Sequence, residues 1–314
     1  MPDDKPEIRH HYAHPFMDSG RWESFEHRAG DVLICTSYKA GTTWMQMICA
    51  QLILQTPQLS QSLTTLSPWL EFRVNPLDEV NATFAGQTHR RFIKTHTALD
   101  GIPYWDDVTY LFCGRDPRDV FISLTNHLAN NDIEHVMRLA AERGILFDEP
   151  PPIPEDPNEL FRMWLTVPTF EWEEDGFPYW SHFSHGKSFW EFRHVPNIHF
   201  FHYSDLKADL SGQMHRIAEL LDIKVDEALW PQLVEAAGFQ SMKRNADLLA
   251  PEVDNAAWHS NSQFFHKGTT GQWTNVLSKE NLEMYDRIKV DRMGPALTEW
   301  MEQGNLVRGD PKTI

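Results

Sequence analysis

The sequence predicts an α/β fold, a central parallel β-sheet flanked by helices, and three observations predict it. Four short apolar runs rich in β-branched and aromatic residues lie between turn formers, two of them lead straight into segments of helical periodicity, and no repeat at solenoid spacing occurs. Continuous apolar runs, as opposed to alternating ones, mark strands covered on both faces.

In chain order the predicted strands are 31–37 (DVLICTS), 91–97 (RFIKTHT), 109–114 (TYLFCG) and 197–204 (NIHFFHYS). After the first, the segment from Thr42 places Trp44, Met47, Ile48 and Leu52 at helical spacing. After the third, Asp116 as N-cap, Pro117 at the first helical position and Asp119 in the first turn start a second helix. The acidic, proline-rich stretch 148–158 is expected to be an extended surface loop within a single domain spanning 1–314. The aromatic-rich stretch from Trp164 to Phe192 is either core or the lining of an apolar cleft, and a final helical region runs from Lys279 to Gln303.

Composition narrows the function. With 28 basic and 45 acidic residues the net charge is −17, which argues against a nucleic-acid partner. A 41% hydrophobic content supplies a full core, and the three cysteines, Cys35, Cys49 and Cys113, make no disulfide framework, so a reducing, cytoplasmic setting is expected. The polar first fourteen residues do not read as a signal peptide, and no apolar stretch approaches the ~20 residues of a membrane span.

The first strand-to-helix junction, Ser37-Tyr38-Lys39-Ala40-Gly41-Thr42-Thr43-Trp44, has the parts of an anion cradle: a glycine for a tight turn, amides opening a helix, and a lysine beside them. An ordinary turn with a solvent-facing lysine fits that segment as well. The junction departs from a magnesium-binding nucleotide loop because Ala40, not Ser or Thr, follows Lys39. Arg115, at the end of the third strand, and Ser123 on the helix after it form a second candidate anion site, with a local salt bridge as the plainer role for Arg115. Lys94 and His96 lie two apart at the end of the second strand and so share a face; His96 is a candidate proton acceptor or a structural imidazole. A second glycine-bearing basic loop, His266-Lys267-Gly268, comes after Phe264 and Phe265. The histidines at 10, 11, 14, 182 and 185 lack a Cys or carboxylate partner at ligand spacing, so no metal site is expected.

Taken together and in this order, the segments YKAGTTW (38–44), KTH (94–96), RDPRDVFIS (115–123) and HKGTTGQW (266–273) resemble the PKSGTTW, KTH, RxPxDxxxS and RKGxxGxW motifs of the cytosolic-type sulfotransferase family. Ser67-Pro68-Trp69-Leu70 and the run 89–96 look more like its bacterial branch, which includes mycobacterial glycolipid sulfotransferases. The resemblance implies a fold related to the P-loop kinases. It also implies transfer of a sulfuryl group from 3'-phosphoadenosine 5'-phosphosulfate (PAPS) to a hydroxyl of a small molecule or glycolipid, leaving adenosine 3',5'-bisphosphate (PAP), without a required metal. A glycolipid acceptor implies peripheral lipid contact at most. By the same likeness Lys39, Ala40, Gly41, Thr42 and Thr43 hold the 5'-phosphosulfate, Trp44 stacks on adenine, and Tyr203 and Phe239 pack around it. Arg115, Ser123, His266, Lys267 and Gly268 take the 3'-phosphate, and His96 with Lys39 and Lys94 performs the chemistry. Four positions depart from the family: Tyr38 stands for proline, Ala40 for the serine thought to restrain the loop lysine, Ala237 for a threonine, and His266 for an arginine. A kinase on a related fold and a non-catalytic nucleotide-binding module are the alternative readings.

Overall fold

The computed structural model describes residues 5–145, 152–251, 257–265 and 268–314. Four strands, β1 (Val32–Cys35), β2 (Phe92–Thr95), β3 (Thr109–Gly114) and β4 (Ile198–His202), form one sheet in the order β2-β1-β3-β4. Every pairing is parallel, with Val32 level with Phe92 on one side and Thr109 on the other.

The sheet divides the core in two. Leu33, Cys35, Tyr110 and Phe112 face one apolar cluster, whereas Val32, Ile34, Leu111 and Cys113 face the other. This alternation inside uninterrupted apolar runs is the signature of a sheet with both faces covered. Helix α1 (Thr42–Leu54) covers the second face through Met45, Ile48 and Leu52. Helix α2 (Pro117–Asn130) covers the first through Val120, Phe121 and Leu124. The start of α2 obeys the predicted signals: the Asp116 side chain accepts the Arg118 N–H, and Pro117 occupies a position whose missing N–H costs nothing.

Three expectations are refined. The proline-rich run does not stay extended to 158: residues 148–151 lie outside the described part, and Asp156 caps helix α3 (Pro157–Thr166) by accepting the Asn158 N–H. The C-terminal region breaks into α5 (Lys279–Met293) and α6 (Pro295–Gln303), because Gly294 adopts φ 75° and Pro295 restarts the chain. The aromatic stretch is mostly core: Trp164, Phe170, Phe177, Phe183, Phe189 and Trp190 are buried, the last three on α4 (His182–Glu191). Trp172 is exposed and stacks on His10 at 4.5 Å. No helix among the described residues is long and apolar enough to cross a membrane.

Candidate active site

The C-terminal ends of β1, β2 and β3 open into one cleft, where ligands bind in open parallel sheets. Between β1 and α1 the chain makes two left-handed steps, Lys39 at φ 65° and Gly41 at φ 112°. A side chain at Gly41 would also sit 3.2 Å from the Tyr203 ring, so glycine is required twice over. Helix α1 starts without any side-chain cap, which leaves its first amides directed at the cleft. The loop is pinned from below: Ser37 Oγ donates to His182 Nδ1, His182 Nε2–H donates to the Arg115 carbonyl at 3.1 Å, and Arg115 Nη1 donates to the Lys39 carbonyl at 2.9 Å.

Lys39 is half-buried among aromatic partners. Its Nζ lies 3.5 Å from His127 Nδ1 and 4.2 Å above the Phe264 ring, and the Tyr38 hydroxyl stands 2.7 Å from His127 Nε2. Burial, with Arg115 nearby, brings the Lys39 ammonium down to about 7. Ala40 does not belong to the cleft as expected: its methyl is buried in the apolar cluster and its amide donates to the Ser37 carbonyl, at 3.3 Å. The absent serine hydroxyl therefore leaves the lysine to Tyr38, His127 and Phe264.

His96 comes just after β2 with Lys94 on the same side, and both line the cleft. His96 Nδ1 lies 2.9 Å from the Thr36 carbonyl, and a carbonyl only accepts, so Nδ1 carries the proton and Nε2 the lone pair. Burial first, then Lys94, pushes the ring down to about 3, so it is neutral before any ligand enters. The backbone N–H of His96 donates to Glu71 Oε2 at 3.2 Å. Glu71, wholly buried, also accepts from Trp22, Trp69, Thr95 and Thr97 at 2.5–2.8 Å. Five donors converge on one carboxylate, which fixes the strand end and with it the imidazole.

At the far end of the cleft Trp44 donates through Nε1 to the Ala237 carbonyl at 2.9 Å and meets the Tyr203 ring edge-on at 5.3 Å. The contact uses the backbone of residue 237, so alanine there costs it nothing. The Arg115 guanidinium lies 4.0 Å over Tyr203, and its buried Nε has no protein partner. Arg115 makes no salt bridge among the described residues; Asp116 pairs with Arg118 instead. Ser123, Phe239 and Gly268 line the same cleft. Gly268 has φ 63°, and a Cβ there would sit 2.7 Å from the Phe239 ring. His266 and Lys267 lie outside the described residues. The chain beyond Gly268 is anchored on α2: Asp119 accepts the Gly271 N–H at 2.8 Å, and Arg118 lies 4.0 Å over Trp273.

The structure thus brings Lys39, Lys94, His96, Arg115, Ser123, Gly41, Thr42, Thr43, Trp44, Tyr203, Phe239 and Gly268 to one cleft. Reading the sequence alone does not reach Glu71, His127, Phe264 or the Ser37–His182 pair. The first has a visible trace, a carboxylate directly after the apolar Trp69-Leu70; the others meet only through tertiary contact. No group of three or more His, Cys, Asp or Glu side chains among the described residues is arranged to hold a metal.

A parallel sheet whose edge gathers two lysines, an arginine, an uncapped helix start and an aromatic slot defines an α/β protein built to hold a nucleotide-like anion beside a histidine. Residues 29–301 match the model of the sulfotransferase domain, and the chain belongs to that family. It is 36% identical to the glycolipid sulfotransferase of Mycobacterium bovis over 309 residues, covering 93% of this chain and 94% of the relative. It is 27% identical to human sulfotransferase 1C2, with 89% of each chain covered. Among solved structures, mouse sulfotransferase SULT7A1 complexed with PAP superposes with a TM-score of 0.69 at 20% identity, over 90% of this chain and 93% of that one. Retinol dehydratase in complex with androsterone and PAP gives 0.65 at 20% identity, over 88% and 86%. The protein is a sulfotransferase.

Proposed function

We propose that this chain, as one sulfotransferase domain, moves the sulfuryl group of PAPS to a hydroxyl of a small-molecule or glycolipid acceptor, with His96 as general base. The observation that carries the reading is His96 itself. Its Nδ1 proton is committed to the Thr36 carbonyl, its lone pair is on Nε2, and it lines the cleft that Lys39, Lys94 and Arg115 also line. Solved structures of this fold hold PAP, the two named above among them, which supports the donor assignment.

When bound, the donor supplies a sulfuryl group already activated on a phosphate. Lys39 and the amides opening α1 would hold its 5' end, Trp44, Tyr203 and Phe239 the base, and Arg115, Ser123, His266, Lys267 and Gly268 the 3'-phosphate. The orphaned Nε of Arg115 fits such a partner. At the reacting end His96 Nε2 accepts the acceptor's hydroxyl proton. A buried imidazole held near 3 is always in its receptive form, and the negative donor beside it raises its basicity where that is needed. Lys39 and Lys94 neutralise charge on the transferring group, the part a divalent cation plays in phosphoryl transfer, so this reading calls for no metal. Capture is local, because a protein of net charge −17 repels a polyanion at long range. The three cysteines are free and buried, which supports a reducing, cytoplasmic setting, with lipid met peripherally.

The test is transfer from PAPS to a panel of hydroxyl acceptors, read as sulfated product by mass spectrometry. His96→Ala is expected to lose transfer by at least about a hundredfold while binding PAP normally. Normal transfer by that variant would remove His96 from its role, and phosphorylated product from ATP with magnesium would favour a kinase.

A further inference from the structure

His182 holds both arms of the donor cleft, Ser37 just past β1 and Arg115 just past β3, and His182 is seated in turn by the loop 173–181 that precedes it. The loop closes on Ser181, which caps α4 by accepting the Ser184 N–H at 2.9 Å. Gly176, at φ 114°, packs so tightly there that a Cβ would sit 2.4 Å from the Ser181 nitrogen. The rest of the hold on Ser181 is acidic. Glu173 Oε2 accepts the Ser181 N–H at 3.0 Å, and the Ser181 hydroxyl lies against the Asp175 carboxyl.

Both acids are buried, Glu173 5% exposed and Asp175 2%, and Asp175 Oδ1 has no hydrogen-bond partner. Much of the charge around them has their own sign. Asp100, in the turn after β2, acts on Glu173, its carboxylate accepting from the Tyr12 hydroxyl at 3.0 Å with His10 3.9 Å away. The cation that faces Asp175 is Arg292 of α5 at 3.6 Å, and the exposed Glu174 shares it at 2.7 Å. His14 donates to the Pro178 carbonyl at 3.3 Å, but burial pushes both His14 and His182 down to about 4, so neither imidazole titrates above pH 6. Two buried carboxyls beside one partly committed guanidinium do not both ionise without cost, so the closed loop retains a proton on the pair. Burial chiefly, with Asp175 and Asp100 adding to it, pushes Glu173 up to about 8; burial chiefly, with Glu174 adding to it, pushes Asp175 up to about 7.

We infer that Glu173 and Asp175 form a pH-sensitive clamp: with a proton on the pair they hold Ser181 and so seat His182 beneath the donor loop and Arg115, and without it they let both loosen. The link to the donor rests on the sulfuryl-transfer reading. The closed loop keeps protons that an opened loop, with carboxyls near their ordinary value of about 4, gives up. The clamp is therefore firmest in mild acid, weakens as pH rises, and has lost its proton-linked hold by about pH 8.

Glu173→Gln and Asp175→Asn imitate the protonated carboxyls, and calorimetric titration of PAP from pH 6 to pH 9 compares them with the wild type. Each variant should match the wild type at pH 6 and bind PAP about threefold to tenfold more tightly than it at pH 9. Lys39 is present in all three proteins, so its own titration cancels from that ratio. Hydrogen exchange of the ligand-free wild type is the second measurement and decides the matter if a variant fails to fold. After correction for the intrinsic rate, residues 176–185 and 36–44 should lose protection together, by about tenfold, between pH 6 and pH 9. An affinity ratio that stays flat with pH, variants that bind PAP more weakly already at pH 6, or protection that does not change would overturn the clamp. If the folded wild type binds PAP at no pH, the sulfuryl-transfer reading falls instead, and hydrogen exchange alone decides the clamp.

Discussion

Glu71 Oε2 accepts the backbone N–H of His96 at 3.2 Å, and the same carboxylate accepts from two indoles and two threonine hydroxyls. No atom of Glu71 is needed in the cleft for it to matter: it sets where the strand stops and therefore where the imidazole points. Glu71→Gln replaces one acceptor oxygen by a donor NH2 that must face existing donors. We expect kcat to fall by roughly tenfold to a hundredfold with PAP affinity little changed, because a displaced base costs rate more than binding. Calorimetry alongside single-turnover transfer checks this; equal losses in both would make Glu71 a general stability residue.

Lys39 leads to a pH prediction. In the free protein burial holds its ammonium at about 7, below the ordinary lysine value, so above that pH the amine is mostly neutral. A bound polyanion favours the charged form and raises the value again. Binding of PAP must then take up a proton, about one per site at pH 8, and affinity should fall as pH rises above 7. Titration in two buffers of different ionisation enthalpy measures the uptake. Lys39→Arg, charged throughout, should abolish it.

Gly268 has φ 63° and no room for a methyl against Phe239. Gly268→Ala should therefore weaken PAP binding about tenfold or more by displacing the Phe239 ring from the cleft wall, with a small change in melting temperature. An unchanged Kd would show that Phe239 yields without cost.

Away from the site, Asp31 and Arg91 form a buried bidentate pair, both less than 4% exposed, one just ahead of β1 and the other just ahead of β2. Asp31→Ala leaves a buried guanidinium uncompensated and should cost about 3–5 kcal/mol. The double variant with Arg91→Met should recover part of that loss, which a double-mutant cycle by thermal or urea unfolding would measure.

Much of the fold was legible because local signals and tertiary structure agree. Asp116 and Pro117 start α2 by their own chemistry, and the four apolar runs became the four strands with no end shifted by more than two residues. Legibility failed where meaning depends on distant chain. In sequence the aromatics from Trp164 to Phe192 read equally as core or as cleft lining; Trp164 and Phe183 pack into the core, whereas Tyr179 and Trp180, a few residues away, line a chamber. The family likeness puts Ala40 among the donor contacts, yet the turn set by Lys39 and Gly41 directs its methyl inward. His127 stands eleven residues beyond Asp116 on α2, and nothing in its own surroundings announces that it meets Lys39 and Tyr38.

The central claim is that the cleft binds a 3'-phosphorylated adenine nucleotide through Arg115. Calorimetric titration of PAP and of AMP, which lacks the 3'-phosphate, against the wild type and Arg115→Ala tests it most directly. Micromolar binding of PAP that weakens at least about a hundredfold when either the 3'-phosphate or the guanidinium is removed is the predicted result. Equal affinity for PAP and AMP, or no binding of either to folded wild-type protein, would contradict it.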